Sequence, residues 1–151
     1  MLRYDNINTH TLTLGDCMIN SLGLLALRLC VGIFLIHHGY DKLNDIEGFA
    51  DTYVRPMHLP FPIFLSYVAA YSEIVGSFFL LPGMLSRLGA LAIFGTISIA
   101  IYHSISTVGF NLYAIELLAL FWGGSVCILL NGPGKFSLDY LVVSRLGKNT
   151  H

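Results

Sequence analysis

Residues 22–42 read LGLLALRLCVGIFLIHHGYDK, a stretch that is long and apolar enough to cross a membrane. About 20 residues of helix are needed to span a hydrocarbon core of roughly 30 Å. Two features interrupt the apolar run: Arg28 lies near its middle, and the triplet His37-His38-Gly39 lies near its end. A charge in mid-span costs about 3 kcal/mol on insertion scales, so it is rarely left unpaired. The rest of the chain is therefore expected to supply partners for these groups.

The composition places the chain among membrane proteins. It has 151 residues, of which 55% are hydrophobic and 11% are charged, and its mean hydropathy is +0.70. Soluble domains carry about 25% charged residues. The net charge of -1 gives no basic face for nucleic acid. The three cysteines have no CxxC or other metal-binding spacing, and the sequence assigns no redox pair to them.

The hydropathy pattern predicts an all-α, polytopic membrane four-helix bundle. Apolar runs of this length must be helices, because lipid cannot satisfy backbone polar groups. The predicted organisation is a polar tail over residues 1–18, a four-span domain over 19–130 and an interfacial tail over 131–151. The spans cover about residues 19–40, 62–81, 86–106 and 113–130.

The charge distribution predicts the orientation of these spans. Four spans place both termini on one side, together with five of the basic residues: Arg3, Arg87, Lys135, Arg145 and Lys148. The other side has only Lys42 and Arg55, in the loop of residues 41–62. Basic residues concentrate in cytoplasmic segments, so we expect both termini in the cytoplasm and this loop outside. The polar start lacks the features of a cleaved signal peptide.

Ionisable residues within the spans form two predicted groups. Arg28 lies ~18 Å below the outer end of its span at Tyr40, and Glu73 lies ~16 Å below Pro62, so the two are predicted to pair near the midplane. His38, His103 and Glu116 each lie within three residues of the outer end of a span. All five share helix faces with small residues, which are the faces that pack in membranes. We therefore predict that they point into the bundle, with His37 turned outward.

Several functions remain open for these residues. The Arg28–Glu73 pair could serve only to fix the helix register. His103 could simply donate to a carbonyl oxygen, and Glu116 could interact with the helix dipole. The convergence of two histidines and two glutamates also resembles a metal site or a proton relay, of which the relay is the favoured interpretation. The Glu-x-x-His spacing of di-iron bundles is missing, so no metal site is assigned.

Three segments resemble the DoxX family of four-helix membrane proteins. They are LRLCVGIFLIHHGYDKL (residues 27–43), EIVGSFFLLPGMLSRLGAL (73–91) and ELLALFWGGSVCILLNGPGKFSLD (116–139). The resemblance covers about residues 20–140. It implies a redox-linked protein of the bacterial or archaeal inner membrane, because some DoxX proteins are subunits of a thiosulfate:quinone oxidoreductase and others join membrane assemblies in oxidative and thiol stress. Arg28, His38, Glu73 and Glu116 are the motif residues that it singles out.

Two hypotheses follow for the function. In the first, the chain is a membrane subunit of a quinone-linked oxidoreductase. Arg28, His38, Glu73 and Glu116 would surround the quinone, and His38, His103 and Glu116 would relay protons, with Tyr67, Tyr71, Tyr102 and Tyr113 beside the ring. In the second, it is a non-catalytic subunit that anchors a larger membrane complex. Both hypotheses imply the lipid bilayer and other membrane-associated subunits as partners, and neither involves nucleic acid.

Overall fold

The computed structural model describes the backbone of residues 8–146 and the side chains of residues 18–145 except residue 108. This part of the chain is helical and has no strands, which confirms the predicted fold class. The helices are α1 (Asn8–Asn44), α2 (Ile46–Phe49), α3 (Pro62–Leu80), α4 (Ser86–Val108), α5 (Leu112–Asn131) and α6 (Leu138–Leu146). Four of them, α1, α3, α4 and α5, are long and apolar enough to cross a membrane. The protein is therefore a membrane protein built on four spanning helices.

Local sequence signals explain where these helices begin and end. Pro62 opens α3, where its missing amide hydrogen is not needed. Asn111 caps α5 by accepting a hydrogen bond of 3.0 Å from the backbone of Tyr113. Gly109 and Gly132 follow α4 and α5 with positive φ angles of 81° and 76°, a conformation that glycine adopts at little cost. The turns that join the spans are therefore encoded locally.

The first helix is longer than the predicted span. It begins at Asn8, inside the segment of residues 1–18 that the sequence analysis treats as a polar tail. That segment has no proline to stop a helix, and its polar residues can be solvated beyond the membrane. Residues 1–7 and 147–151 of the two predicted tails lie outside the described part of the chain.

The helices pack in the order α1, α3, α4, α5, and α5 closes the bundle against α1. Glycines let neighbouring helices approach closely, as is usual in membranes. A Cβ atom on Gly76 of α3 would lie 2.9 Å from the carbonyl oxygen of Gly89 on α4, and one on Gly124 of α5 would lie 2.9 Å from Val31 on α1. The core between the helices is aliphatic and includes Leu35, Leu80, Ile93, Ile97 and Ile128.

The bundle has two ends, which carry different structures. One end, here called the loop face, carries residues 45–61 and the turn between α4 and α5. Residues 45–57 of the loop face, here called the cap segment, comprise α2, a π-helical turn (Ala50–Val54) and a 3₁₀ turn (Arg55–Met57). The first two of these pack on α3. The opposite end, the terminal face, carries the turn between α3 and α4, the segment after α5, and α6.

Candidate functional site

Glu73 is the acidic residue buried inside the bundle. It lies on α3, its side chain is 1% exposed, and Oε1 accepts a hydrogen bond from Nζ of Lys42 on α1. Oε2 has no hydrogen-bond partner among the described residues. A buried carboxylate is expensive unless its charge is compensated, so Lys42 holds Glu73 in place while leaving one oxygen free for another partner.

His38 completes a cluster with Lys42 and Glu73, here called the loop-side cluster. It lies one helical turn before Lys42 on α1 and is close enough to Glu73 to interact with it electrostatically. Its ring contacts Phe121 of α5 edge to face, with 5.7 Å between the centroids. The cluster therefore joins α1 to α3 by charge and α1 to α5 by an aromatic contact. The buried carboxylate of Glu73 is therefore close to the ammonium group of Lys42 and to the imidazole ring of His38.

The cap segment connects the loop-side cluster to His103. The ammonium group of Lys42 lies 5.2 Å from the ring centroid of Phe49, and Phe49 contacts Tyr53 at 4.9 Å. Tyr53 in turn contacts the ring of His103 on α4 edge to face at 5.4 Å. His103 is 8% exposed, and its Nε2 has no partner among the described residues. Two buried polar atoms, Glu73 Oε2 and His103 Nε2, thus lie at the two ends of an aromatic contact chain.

The structure contradicts the predicted Arg28–Glu73 pair. Gly39 of α1 packs against Ala70 and Ile74 of α3, and Gly32 packs against Ser77 and Leu81. Arg28 is therefore level with the turn that follows α3, whereas Glu73 is level with residues near His38, ~15 Å away along α1. The depth comparison failed because it assumed that both helices end at one plane, and α3 extends past α1 on the loop face.

Arg28 is instead buried at the terminal face. It is fully buried, and its Nη2 donates to the carbonyl oxygen of Phe136 in the segment after α5. Asp139 is close enough to interact with it electrostatically. A Cβ on Gly83, in the turn after α3, would overlap Arg28 Nη1. The guanidinium is thus held between the two chain segments that close this end of the bundle, and its buried Nε and Nη1 atoms have no hydrogen-bond partner among the described residues.

Backbone hydrogen bonds join the same two segments. Leu138 N donates to Pro82 O at 3.1 Å, and Asp139 N donates to Gly83 O at 3.0 Å. The Asp139 carboxylate accepts from the backbone amides of Leu85 (2.9 Å) and Ser86 (3.2 Å) at the start of α4. The three motifs quoted from the sequence therefore meet at the terminal face in a structural closure, with Arg28 at its centre.

The inward prediction is confirmed for three of the five ionisable residues and wrong for Glu116. Arg28, Glu73 and His103 are buried, and His38 is partly buried. Glu116 is exposed, as are Ala119 and Gly123 on the same side of α5. The core side of α5 instead carries Ile115, Phe121, Gly124, Ser125 and Ile128. Small residues lie on both sides of this helix, so their pattern alone selected the wrong side.

The residues outside the bundle interior include two further groups. His37 faces outward as predicted and forms an exposed pair with Asp41 at 3.3 Å. The four tyrosines that were expected beside a quinone ring, Tyr67, Tyr71, Tyr102 and Tyr113, are 41–86% exposed and lie on the outside. No group of three His, Cys, Asp or Glu side chains with metal-binding geometry occurs within the described residues.

Comparison with known proteins identifies the family. The DoxX family model matches residues 23–105, which is more than half of the chain. The chain belongs to the DoxX family. It is 31% identical to an uncharacterized protein of Haemophilus influenzae, over 84% of this chain and 90% of that protein. It is 28% identical to the inner membrane protein YqjF of Escherichia coli, over 82% of this chain and 95% of that protein. No solved structure gives a significant match.

Sequence reasoning on this DoxX chain missed four contributors to these sites. Lys42 belongs to the first motif and lies one turn after His38, yet it was placed in a solvated loop because the span was ended at Tyr40. Asp139 closes the third motif and caps α4 from a distant segment. The contacts of Phe49 and Tyr53 could not be predicted from the sequence, since aromatic residues in a loop can have many different roles. The motif spacing could have suggested Lys42 and Asp139.

Proposed function

We propose that this protein is the membrane subunit of a quinone-linked redox system and that Glu73 exchanges protons in it. The observation that carries the proposal is the free Oε2 of Glu73, a buried acid whose other oxygen is bonded to Lys42. An ionisable group inside a membrane bundle is expensive, and such groups typically mark proton or substrate pathways. Lys42 is 17% exposed on its side chain, so it links the buried acid to the loop face.

The chemistry of the cluster suits a quinone headgroup. When bound, a quinone accepts two electrons and two protons, and its carbonyl oxygens need hydrogen-bond donors. His103 Nε2 can donate a hydrogen bond in one tautomer, and Glu73 Oε2 can donate when it is protonated. Lys42 would stabilise the carboxylate that remains after Glu73 releases a proton. His38, beside Glu73, is the next group able to return a proton to that carboxylate.

Substitution of the two glutamates tests this proposal. The purified protein in lipid nanodiscs is titrated with ubiquinone-1, and binding is measured by isothermal calorimetry. Glu73→Gln keeps the shape of the side chain but cannot exchange a proton. We expect it to bind about tenfold more weakly, since it also disturbs the ion pair with Lys42.

Glu116→Gln is the matched control, because Glu116 is a glutamate on the outside of α5. We expect its affinity to equal that of the unmodified protein. Equal affinity of both variants, or no binding of ubiquinone-1 by the unmodified protein in nanodiscs, would contradict the proposal. A matched thermal unfolding scan separates lost binding from lost folding.

The second candidate function is a non-catalytic anchor for a larger membrane complex. The outward side of α5 favours it, because Glu116, Ala119 and Gly123 are exposed on one side of a spanning helix. Small residues allow close helix contact, and an acid there would gain from a polar partner. Photocrosslinking from position 119 in native membranes tests this candidate: crosslinks to another subunit support it, and crosslinks to lipid alone contradict it.

A further inference from the structure

A groove at the terminal face lies outside the loop-side cluster. It has a volume of about 320 Å³ and lies between Arg87 of α4, the segment Asn131–Gly134 and the residues Tyr140 and Val143 of α6. This volume is at the lower end of the roughly 300–1,000 Å³ range of small-molecule sites. Nothing in the proposed function uses this groove.

The charge of the groove comes from Arg87. The side chain is exposed, and it forms no ion pair with any residue of the described chain. Its guanidinium lies against Gly132, with Nη2 and Nε 3.6 and 3.7 Å from the position that a Cβ there would occupy. A guanidinium offers a planar pair of donors that matches a phosphate group.

Asp139 also lines the groove, but its carboxylate is engaged elsewhere. One oxygen accepts from Leu85 N, and the other accepts from Ser86 N at 3.2 Å and from Ser86 Oγ at 3.4 Å. Its charge also faces the buried guanidinium of Arg28. The free charge in the groove is therefore the positive charge of Arg87.

Tyr140 and Val143 of α6 line one wall of the groove, and the rest of that helix is also largely apolar and exposed. Helix α6 has nine residues, and five of them, Leu138, Tyr140, Leu141, Val142 and Val143, have side chains that are 43–68% exposed. A short helix with this much exposed apolar surface at the end of a spanning bundle is typical of one that lies in the membrane interface. The groove thus places a phosphate-binding cation beside a surface that suits acyl chains.

We infer that this groove binds the phosphate of an anionic phospholipid, with Arg87 paired to the phosphate and the acyl chains along α6. Free inorganic phosphate offers the same charge to Arg87, but it has no acyl chains to cover Tyr140 and Val143. The lipid is favoured because the cation and the apolar wall adjoin each other. Basic pockets beside spanning helices are known to bind anionic lipid headgroups.

Native mass spectrometry of the detergent-solubilised protein tests this inference with phosphatidylglycerol and phosphatidylcholine. We expect one phosphatidylglycerol to bind in preference to phosphatidylcholine. In Arg87→Gln we expect the affinity for phosphatidylglycerol to fall about tenfold, since a charge-assisted pair is lost. Arg145→Gln removes the same charge from α6 at the same face but outside the groove, so it should keep the affinity.

Three outcomes would overturn the inference. Equal binding of the two lipids would remove the role of lipid charge. Equal loss in Arg145→Gln would mean that general surface charge attracts the lipid. Displacement of phosphatidylglycerol by millimolar inorganic phosphate would make the ion, rather than the lipid, the ligand of Arg87. A thermal unfolding scan provides an independent check that Arg87→Gln has folded.

Discussion

At the scale of single residues, the partner of Glu73 determines where the buried charges of this protein lie. The acid takes Lys42 as its partner, four residues beyond His38, and leaves Arg28 to the terminal face. Both charges are buried, and each is matched by groups from a different part of the chain. Two separate polar sites therefore exist where the sequence predicted one midplane pair.

A double-mutant cycle on Lys42 and Glu73 tests this pairing. We expect Glu73→Ala or Lys42→Ala alone to lower the free energy of unfolding by about 3 kcal/mol, because each strands a buried charge. The double variant should lose clearly less than the sum of the single losses. Unfolding in mixed detergent micelles measures these values.

The same cycle on Arg28 and Glu73 is the control. These residues are separated by ~15 Å along α1, so their losses should add within about 0.5 kcal/mol. Strong coupling between Arg28 and Glu73, with additive losses for Lys42 and Glu73, would mean that the assigned partners are wrong.

Gly83 is the residue on which the closure of the terminal face depends most directly. Its φ angle is 73°, and a Cβ there would overlap Arg28 Nη1. Gly109 has a similar φ angle of 81° but open space around its Cβ position. We expect Gly109→Ala to cost about 3 kcal/mol from backbone strain alone, because its φ of 81° and ψ of -178° lie in a region that is confined almost entirely to glycine. Gly83→Ala should cost about 2 kcal/mol more, because the buried guanidinium must also move. Thermal unfolding of both variants checks the difference, and equal losses would show that the contact with Arg28 has no weight.

At the scale of elements, α5 shows how two adjacent glycines can have opposite environments. Gly124 faces α1, where its Cβ position is 2.9 Å from Val31, whereas the Cβ position of Gly123 has no atom within 4 Å. The outward side also carries Glu116 and Ala119. The helix thus closes the bundle with one side and presents the other to lipid or to another subunit.

Leucine substitutions at these two glycines test the assignment of the sides. We expect Gly124→Leu to lower the free energy of unfolding by about 2 kcal/mol, since overpacking separates α5 from α1. Gly123→Leu should leave the unfolding of the isolated protein unchanged within about 0.5 kcal/mol. Detergent unfolding measures both, and the reverse ranking would contradict the observed rotation of α5. A loss of complex size in native membranes with Gly123→Leu alone would favour the anchor function.

At the scale of the whole molecule, the orientation in the membrane depends on how the basic residues are distributed between the two faces. Four spans place the terminal face and the loop face on opposite sides, and the terminal face has more basic residues. We therefore propose that the terminal face is cytoplasmic and that the cap segment is outside. Asp51 and Arg145 are exposed at the two faces and provide positions to test this.

Cysteine labelling measures the orientation in intact cells. Cys17, Cys30 and Cys127 are first replaced by serine, and Asp51→Cys or Arg145→Cys is then introduced. We expect an impermeant maleimide to label position 51 in intact cells and position 145 only after permeabilisation. Labelling in the reverse order would mean that the terminal face lies outside. It would leave the helix packing unchanged.

The sequence alone determined the class of the protein, its four spanning helices and its family resemblance. These properties follow from apolar runs, prolines and glycines, which act locally and need no knowledge of neighbours. The burial of Arg28, Glu73 and His103 was also predictable, because an ionisable group within a span avoids lipid. The outward direction of His37 followed from its position opposite Arg28.

Only the tertiary structure decided which of these groups meet. The register between α1 and α3 is fixed by Gly32 and Gly39 against α3, and it moves Arg28 and Glu73 to different depths. The rotation of α5 is fixed by Gly124 and Phe121 in the core, and it turns Glu116 outward. Register and rotation are properties of helix pairs, determined by contacts between residues far apart in the chain. Counting along each helix separately therefore identified the buried groups but could not assign their partners.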